Sequence, residues 1–485
     1  MMLFRIFQFR VLSILMMFTG FYPVERVSAK APVSNLNLYD SSYVVIGNIG
    51  FKGNARTRPS IILREMLFRK GDTLLKSELS EQLLESRENI FNTRLFNIVT
   101  IDPMPVEGSD TINIVVSVIE RWYIWPIPFL EISDRNFNVW WETRDFSRLT
   151  YGIDLTFNNV RGRNETLQIM THFGYNQKYG FTYKIPYIDT KQKLGIGFGA
   201  EVDLNHEIPV ASASNKPVYM KDGTDFLKKL FRGYTELIFR PDFYSTHTFY
   251  ASYNHYIFNE QLESVPGFFY DESLIQQFVT LNYFFKNDHR DVQFYPLIGY
   301  YIDAEFNYTI PFKVAHNAYL KMNFRKYWQM HNRWYWASGF TGKLSLGKEQ
   351  PYYLQQGLGY GREYVRGYEY YVIDGQHFVL LKNNLKFALL PQRVVKLGFI
   401  RTSKFNTIPL AFYLNVFADL GYVYNYQDLN PHYHAGNSNT LQNALLAGYG
   451  AGIDFTTYYD IVVRMECSFN LWGEAGFYLH FMAPI

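Results

Sequence analysis

Residue types that catalyse reactions or bind metal ions do not form a recognisable active site in this sequence. His206 and Glu207 begin an HExxH-like pattern, but Val210 stands where the second histidine is required. His432 and His434 could bind a metal ion, although two histidines in a polar loop are more often simply solvated. The sequence has no GxSxG motif. We therefore expect no enzyme activity, no catalytic residue, no resident metal ion and no cofactor.

One glycine-rich segment and one arginine need separate consideration. The segment GYGAG, 448–452, has too few spaced glycines for a dinucleotide site and lies inside a predicted strand. Arg366 lies in EYVRGYEYYVIDG, 363–375, among four tyrosines and next to Gly367. A planar guanidinium suits a bidentate contact with a carboxylate, and glycine allows a tight backbone turn. A loop cation without a partner is the alternative interpretation.

Composition excludes several classes of protein. The 47 Lys and Arg residues nearly balance the 44 Asp and Glu residues, so the net charge of +3 does not indicate a nucleic-acid partner. Cys467 is the only cysteine in the sequence, which excludes an intrachain disulfide and a cysteine-based metal cluster. The mean hydropathy of −0.17 argues against a bundle of membrane helices.

The N-terminal residues are typical of an export signal. Arg5 and Arg10 precede the apolar run 11–21, and Val27–Ala29 has the small-x-small pattern of a cleavage site. The apolar run is short for a membrane-spanning helix, although a short anchor helix is the alternative. We predict a signal peptide at 1–29. No later segment offers about 18 continuous apolar residues.

A small mixed domain is predicted at 43–121. An alternating strand begins at Tyr43, Thr57 is the expected N-cap of a first helix with Pro59 in its first turn, and a second helix is predicted at 77–91. Two strands follow, which gives the order β-α-α-β-β, with both helices on one face of a small sheet. The segment WPIP, 125–128, is expected to be a stiff linker to the rest of the chain.

From about Phe137 to the C-terminus, alternation with a period of two replaces helical periodicity. In the segment 461–469, for example, the apolar residues Met465 and Phe469 alternate with the polar residues Arg464 and Glu466. A soluble β-sandwich also alternates, but it seldom needs so many strands of about ten residues. An export signal, abundant tyrosine and long alternating strands favour an outer-membrane β-barrel, which satisfies every backbone polar group in lipid.

About sixteen strands are predicted, and the barrel is expected to span 130–485. The predicted strands are Phe137–Glu142 (weak), 149–158, 165–175, 179–187, 193–203, 231–241, 245–256, 275–286, 297–310, 316–325, 333–345, 378–389, 409–424, 446–456, 459–469 and 474–482. The segment 389–406 is the most ambiguous. The long gaps 204–230 and 346–377 are expected to be extracellular loops, because periplasmic turns are short.

Four motifs in the right order resemble the BamA/TamA family of outer-membrane barrels, and the resemblance covers nearly all of the predicted mature chain. The N-terminal domain resembles a POTRA domain, through GNARTRPSIILREMLFRKGD, RLFNIVTID and VIER. The other motifs are the DxRD…P…G strand motif, the sixth-loop VRGY…IDG motif and the FxDxG strand motif. Their residues here are Asp288, Arg290, Asp291, Pro296 and Gly299; Val365, Arg366, Gly367, Tyr368, Asp374 and Gly375; and Phe417, Asp419 and Gly421.

This resemblance implies a fold and a set of contacts. The fold would be mainly β, a transmembrane antiparallel barrel of about 16 strands with a small α+β periplasmic POTRA domain. The sixth loop, 346–377, would fold back into the barrel, where Arg366 would contact the acidic residue of the FxDxG strand. Alternation independently places Asp419 on the lumenal side of its strand.

Three features depart from the family pattern. The thirteen residues 30–42 leave no room for a second POTRA domain, which puts a general assembly role in doubt. Asn384 and Lys386 stand where the family commonly has an acidic residue and an arginine in an "ElR"-like pattern. Met482–Ile485 follow Phe481, the aromatic residue that is expected to end the last strand.

Three functions remain open at this stage. The protein could fold and insert unfolded outer-membrane clients, with the POTRA sheet lending an edge strand to the client and the barrel seam opening toward outer-membrane lipid. It could instead be a dedicated translocation pore that resembles two-partner secretion translocators, or a passive channel. Accessory periplasmic or lipoprotein partners are expected in the first case, and no nucleic acid in any case.

Overall fold

The structure is a computed structural model that describes residues 26–27, 42–132, 148–265, 267–269, 273–311, 317–346, 352, 356–396, 403–426, 439–457 and 460–481. Several predicted features lie outside these ranges: most of the signal peptide, the weak strand Phe137–Glu142, His432 and His434, and the extension Met482–Ile485. In the described ranges, no helix is both long enough and apolar enough to cross a membrane.

The N-terminal domain is a four-stranded sheet with two helices. Its elements are β1 Tyr43–Lys52, α1 Pro59–Arg64, β2 Thr73–Leu75, α2 Lys76–Asn92, β3 Phe96–Pro105 and β4 Thr111–Glu120. The strand order is β2-β1-β4-β3, in which β1 and β4 are parallel and the other pairs are antiparallel. One apolar core joins the helices to the sheet, with Leu79, Leu83 and Ile90 of α2 buried against it.

The start of α1 differs from the prediction. Its N-cap is Arg58, and Pro59 occupies the first turn as expected. The backbone N–H and the hydroxyl of Thr57 instead bind the Glu120 carboxylate, at 2.7 and 2.8 Å. The prediction that Thr57 is the N-cap is therefore wrong, because a buried carboxylate from β4 competes for the same hydroxyl.

The remaining strands follow in chain order from β5 to β24. They are β5 Ile124–Ile132, β6 Leu149–Val160, β7 Glu165–Gly174, β8 Gln177–Ile185, β9 Leu194–Asn205, β10 Glu207–Ala213, β11 Lys216–Lys221, β12 Lys228–Phe239, β13 Ser245–Phe258, β14 Ile275–Asp288, β15 Gly299–Pro311, β16 Asn317–His331, β17 Trp334–Leu346, β18 Gln356–Leu358, β19 Ile373–Asp374, β20 His377–Lys396, β21 Thr407–Tyr424, β22 Leu445–Thr456, β23 Val462–Asn470 and β24 Ala475–His480. A short helix, α3 Ser403–Asn406, precedes β21.

Sixteen of these strands form one antiparallel barrel sheet; β10–β11 and β18–β19 are separate two-stranded pairs. The sheet also includes a two-residue strand, Arg26–Val27, beside Val394 and Val395 of β20. Each barrel strand pairs with the next one along the chain, from β5 to β24. The predicted fold class, a mainly β barrel of about sixteen strands with an N-terminal α+β domain, is confirmed.

The first barrel strand is not where the sequence analysis placed it. The segment 125–128, interpreted above as a linker, lies in β5, where Pro126 and Pro128 are opposite Leu155 and Ile153 of β6. The two prolines led to the linker interpretation, because proline cannot donate a hydrogen bond to a neighbouring strand and is confined to edge strands within sheets. β5 is such an edge, at the seam where the strand order places it beside β24.

Alternation separates a polar lumen from an apolar exterior. In β23, Arg464, Glu466 and Ser468 are fully buried, whereas Met465 and Phe469 are about two-fifths exposed. This arrangement inverts that of a soluble protein and matches a barrel whose outer surface faces lipid. The lumen is therefore the place where buried charges can find partners.

Candidate functional site

Arg366 of the sixth loop lies in the lumen and is bound by Asp419 of β21. Its Nε donates to Asp419 Oδ2 at 2.7 Å, Nη2 donates to Oδ1, and its backbone N–H donates to Oδ2 at 3.2 Å. The third guanidinium nitrogen donates to Asn384 Oδ1 at 2.7 Å. The guanidinium also lies 3.9 Å from the ring centre of Phe417. Both charged side chains are fully buried, so the pair is enclosed and bidentate.

The backbone around Arg366 approaches the barrel wall at two glycines. Gly367 has a φ of 93°, and a Cβ there would lie 2.9 Å from the Phe469 carbonyl oxygen. A Cβ on Gly448 of β22 would overlap the Arg366 carbonyl oxygen. The segment 448–452 that resembled a weak nucleotide motif therefore contributes a flat surface against which the loop packs.

The other residues of the sixth-loop motif pack beside the ion pair. Val365 and Tyr368 are almost fully buried in an apolar cluster with residues of β20, β21 and β22. The Tyr368 hydroxyl accepts a hydrogen bond from the Leu471 N–H at 3.3 Å. The absence of a side chain on Gly421 of the FxDxG motif allows Val365 to pack against the strand, since a Cβ on Gly421 would lie 2.5 Å from Val365 Cγ2.

Asp374 of the IDG segment faces the extracellular hairpin β10–β11. Its carboxylate accepts hydrogen bonds from Ser212 and Tyr360, and burial raises the pKa of Asp374. A Cβ on the adjacent Gly375 would lie 2.4 Å from Val423 Cγ1 of β21. The carboxylate therefore binds loop residues on one side while the glycine packs on the barrel wall.

The tip of the β10–β11 hairpin, at Asn215, also contacts the sixth loop. The Asn215 carbonyl accepts from the Val372 N–H at 2.9 Å, and the Asn215 side chain accepts from the N–H groups of Thr440 and Leu441 at 3.0 Å. The gap 204–230, which was predicted to be an extracellular loop, contains this ordered hairpin. The hairpin thereby connects the sixth loop to the segment before β22.

The DxRD…P…G residues form a separate group at the turn between β14 and β15. Arg290 makes a bidentate ion pair with Asp288, at 2.7 and 2.8 Å. Asp291 Oδ1 accepts from the Leu297 N–H at 3.1 Å, which closes the turn around the buried Pro296. Gly299 follows with a φ of 105°. Among the described residues, no hydrogen bond or ion pair joins this group to Arg366.

A second buried ion pair was missed by the sequence analysis. Arg464 of β23 binds Asp454 of β22 through two nitrogens, and both side chains are fully buried. Asn415 and Tyr295 donate to the same carboxylate, at 2.9 and 2.7 Å. The available signal was a pair of opposite charges on the polar faces of two strands joined by a short turn.

Tyr295 brings the turn between β14 and β15 into contact with lumenal residues. Its side chain is buried in a cluster with Ala388, Tyr413 and Val462. The Lys386 amino group lies 4.4 Å from the Tyr295 ring centre, a cation–π distance. Lys386 and Asn384, which stand in place of the family's "ElR"-like residues, therefore contact the β14–β15 turn and the sixth loop, respectively.

The N-terminal domain is bound to the periplasmic turns by ionic and polar contacts. Arg240 donates to both oxygens of Glu65 at 2.6 and 2.7 Å, and Arg121 donates to both oxygens of Asp460 at 2.8 and 2.9 Å. Asn92 of α2 exchanges hydrogen bonds with the backbone of the 289–298 turn. The Glu65–Arg240 pair and Asn92 border a polar cavity of about 310 Å³.

Two acidic groups at this junction have raised pKa values, Glu88 in the wall of the cavity and Asp291 in the adjacent turn. Burial, followed by the charge of Asp291, raises the pKa of Glu88 in α2 to about 7. Burial also raises the pKa of Asp291 itself. The junction therefore carries one carboxyl group, Glu88, that can titrate near neutral pH.

Comparison with known proteins places this arrangement in a family. Residues 159–457 match the profile of the Omp85 superfamily domain, and residues 44–121 match a POTRA profile described as a surface antigen variable number repeat. A Treponema pallidum (strain Nichols) protein, provisionally named an outer membrane protein assembly factor, is 34% identical over 76 residues. That match covers 16% of this chain and 9% of the Treponema protein.

Solved structures match this chain at low sequence identity, and the fold of one of them supports the assignment. BamA from Haemophilus ducreyi lacking POTRA domains 1–3 matches with a TM-score of 0.50 and 16% identity, over 90% of this chain and 83% of that chain. CdiB from Escherichia coli matches with a TM-score of 0.48 and 12% identity, over 91% and 75% of the two chains. The profile matches show that this chain belongs to the Omp85 superfamily, as an outer-membrane barrel protein with a POTRA domain.

Proposed function

We propose that this protein inserts other proteins into the outer membrane, receiving extended clients at its periplasmic POTRA domain and folding them at the barrel seam. The seam between β5 and β24 carries this proposal. We expect outer-membrane lipid and unfolded clients to be its partners, together with accessory periplasmic or lipoprotein subunits. We expect no catalytic activity, because binding and strand exchange are sufficient for this role.

The backbone geometry of β5 defines which groups face the seam. The Asn158 N–H donates to the Tyr123 carbonyl at 2.7 Å, and the register pairs Ile124 with Phe157. In an antiparallel pair, the residues that bond the neighbour alternate with residues whose polar groups point away from it. Ile124, Pro126, Pro128 and Leu130 therefore direct their backbone groups toward β24.

Proline leaves two of these positions without an N–H group. The periplasmic half of the β5 edge can accept hydrogen bonds there but cannot donate them. The described residues define no residue-by-residue register across the seam, whereas β5 and β6 pair over nine residues. Each missing donor removes one possible hydrogen bond across the seam, and a typical hydrogen bond contributes about 1 kcal/mol, so we infer that the prolines lower the cost of opening the seam.

The POTRA sheet offers a second edge for an extended client. β3 is an edge strand, and the Val106 N–H donates to the Thr111 carbonyl at 3.0 Å. Given the register of β3 and β4, the same alternation directs backbone polar groups away from β4 at four positions: Val99, Ile101, Pro103 and Pro105. The two prolines cannot donate, so we infer that client pairing is confined to the half of β3 near Val99 and Ile101.

Depletion of the protein tests this function directly. We expect a defined set of barrel proteins to disappear from the outer membrane and to accumulate in the periplasm or be degraded. Quantitative proteomics of outer-membrane fractions measures this loss. An unchanged barrel proteome, with one secreted protein retained, would instead favour dedicated translocation.

Translocation is the second candidate, because the sixth loop occupies the lumen as a plug would. In that case, loosening the loop should open a conducting pore, which planar-bilayer recordings measure. A passive channel should conduct ions without any client and should leave the barrel proteome intact. The insertion proposal predicts low conductance with the loop in place and a client defect when the loop is released.

A further inference from the structure

Three potential metal ligands meet where the sixth loop contacts the last two barrel strands. They are Glu369 of the loop, Glu466 of β23 and His480 of β24, and one ligand atom of each lies within 4.8 Å of the others. Glu369 is distant in sequence from the other two residues, which lie on paired neighbouring strands. A group bound here would therefore connect the loop to both strands.

Two carboxylate oxygens in this cluster are buried without a hydrogen-bond partner. Glu466 is fully buried; its Oε1 lies 3.0 Å from His480 Nε2, but its Oε2 receives no hydrogen bond. Glu369 Oε2 accepts from the Gly367 N–H at 2.8 Å, whereas its Oε1 is buried and unbonded. Buried carboxylates are costly unless a cation or hydrogen bonds compensate their charge.

The nearest arginine does not meet this need. Arg464 uses Nε and Nη2 for Asp454, and its remaining nitrogen lies 4.0 Å from Glu466 Oε2, beyond hydrogen-bonding distance. Lys382 is a second nearby cation that interacts electrostatically with both glutamates, but its buried amino group makes no hydrogen bond. Two carboxylates and an imidazole therefore face a common space in which neither described cation is hydrogen-bonded to the free carboxylate oxygens.

We propose that Glu369, Glu466 and His480 bind one divalent transition-metal ion, for which Zn²⁺ is the natural probe. Zn²⁺ accepts carboxylate oxygens and imidazole nitrogen in a tetrahedral shell that a water molecule can complete. Imidazole favours such a metal over Ca²⁺ or Mg²⁺, which bind oxygen ligands. The His480 Nδ1 lies 3.5 Å from the Tyr364 hydroxyl, so a proton on Nδ1 leaves the Nε2 lone pair for the metal.

The site would hold the sixth loop against the strand that forms one side of the seam. Glu369 lies three residues after Arg366, so the metal and the Asp419 pair would fix the loop at neighbouring points. This role adds to the ion pair and does not depend on whether the protein inserts or translocates its clients.

Zn²⁺ titration of the purified full-length protein in detergent tests the site, after EDTA treatment and removal of the chelator. We expect saturable binding of one Zn²⁺ per chain by calorimetry, and slower protease cleavage near Tyr368 when Zn²⁺ is bound. His480→Ala and Glu369→Gln should each weaken binding at least about tenfold, since even outer-shell changes cost about 10–100-fold. Heat-modifiability on gels confirms that each variant has folded.

His172→Ala is the matched control. His172 is another lumenal histidine paired with a carboxylate, Asp154, at 2.9 Å, and it is not part of the three-ligand group. This variant should bind Zn²⁺ as the native protein does. Absence of saturable binding, or equal binding by native protein and His480→Ala, would overturn the proposal.

Discussion

At the scale of single residues, the central feature is a charge pair that the lumen isolates from water. Arg366 and Asp419 have no exposed side-chain surface, so neither can be solvated if the other is removed. An exposed pair typically contributes about 0–1 kcal/mol, whereas breaking an enclosed pair costs about 3–5 kcal/mol. The position of the sixth loop should therefore depend strongly on this contact.

Arg366→Ala should loosen the sixth loop and weaken function while the barrel still forms. Protease cleavage near Tyr368 reports the loosening, and heat-modifiability reports the barrel. Asp419→Ala should give the same defect, and the double variant should be little worse, because both changes remove one interaction. The exchanged pair, Arg366→Asp with Asp419→Arg, should rescue only partly, because the guanidinium would no longer extend from the loop.

A lumenal ion pair in the other half of the barrel provides the control. Arg232 contacts Glu201 at 2.7 Å, with 31% of the arginine side chain exposed. Arg232→Ala should leave cleavage near Tyr368 unchanged. Additive defects in the Arg366 and Asp419 double variant, with unchanged cleavage in both single variants, would show that the two residues do not depend on each other.

The loop backbone gives an independent prediction. Gly448→Ala should displace the sixth loop, because its Cβ would overlap the Arg366 carbonyl oxygen, and should reproduce part of the Arg366→Ala cleavage pattern. Gly233→Ala is the control, since a Cβ there meets no heavy atom within 4 Å. If both variants were cleaved like the native protein, the loop would not pack on β22 as described.

At the scale of elements, alternation predicts strands well and proline-containing edges badly. β14, β21 and β23 were visible because apolar and polar residues alternate over their length. β5 was mistaken for a linker because Pro126 and Pro128 interrupt the usual strand composition. The three-residue strand β2 was missed because it is too short for a period to be visible.

In the candidate site, too, local sequence patterns predicted some features but not the contacts between distant segments. Asp419 was expected in the lumen from alternation, and its pairing with Arg366 was expected only from a family resemblance. The Asp454–Arg464 pair and the insertion of Tyr295 depend on how turns fold into the barrel. Such contacts join distant segments, and no local period in the sequence records them.

The role of Pro126 and Pro128 in weakening the seam can be tested by substitution. Replacing Pro126 and Pro128 with valine should restore two N–H donors to the β5 edge. Each hydrogen bond that then forms across the seam should stabilise it by about 1 kcal/mol, and client insertion should decrease because the seam opens less readily. Hydrogen–deuterium exchange of β24 measures the added protection. Leu130→Val, on the same edge with its N–H already present, should change neither property. Greater protection of β24 with undiminished insertion would mean that seam opening is not required.

At the scale of the whole molecule, the POTRA domain docks on the barrel through charged contacts, and a buried carboxyl group at the same junction should make this docking depend on pH. Glu88 has a pKa of about 7 at the junction, against an ordinary value of 4.5. When the domain undocks and the carboxyl is solvated, its pKa should fall toward that ordinary value. Docking therefore favours the protonated form, and its stability should decrease as the pH rises from about 4.5 to about 7.

Spin-label distances between α2 and the 240–244 turn measure this docking. We expect a narrow short distance at pH 5 and a broader, longer distribution at pH 8. Glu88→Gln should remove most of the dependence and leave only the contribution of Asp291. Glu81→Gln, an exposed position on the same helix, should retain the native behaviour. A native profile that does not change between these pH values would contradict the assignment.

The central claim is that this barrel inserts clients into a membrane, and reconstitution tests it most directly. The measurement follows a urea-unfolded outer-membrane barrel added to vesicles that contain native protein, Arg366→Ala, or a variant lacking residues 43–120. We predict that native protein accelerates the appearance of a heat-modifiable, protease-resistant client in the bilayer, and that both variants do so much less. Client folding at the rate of empty vesicles, or client recovered as soluble protein inside the vesicles, would contradict the account.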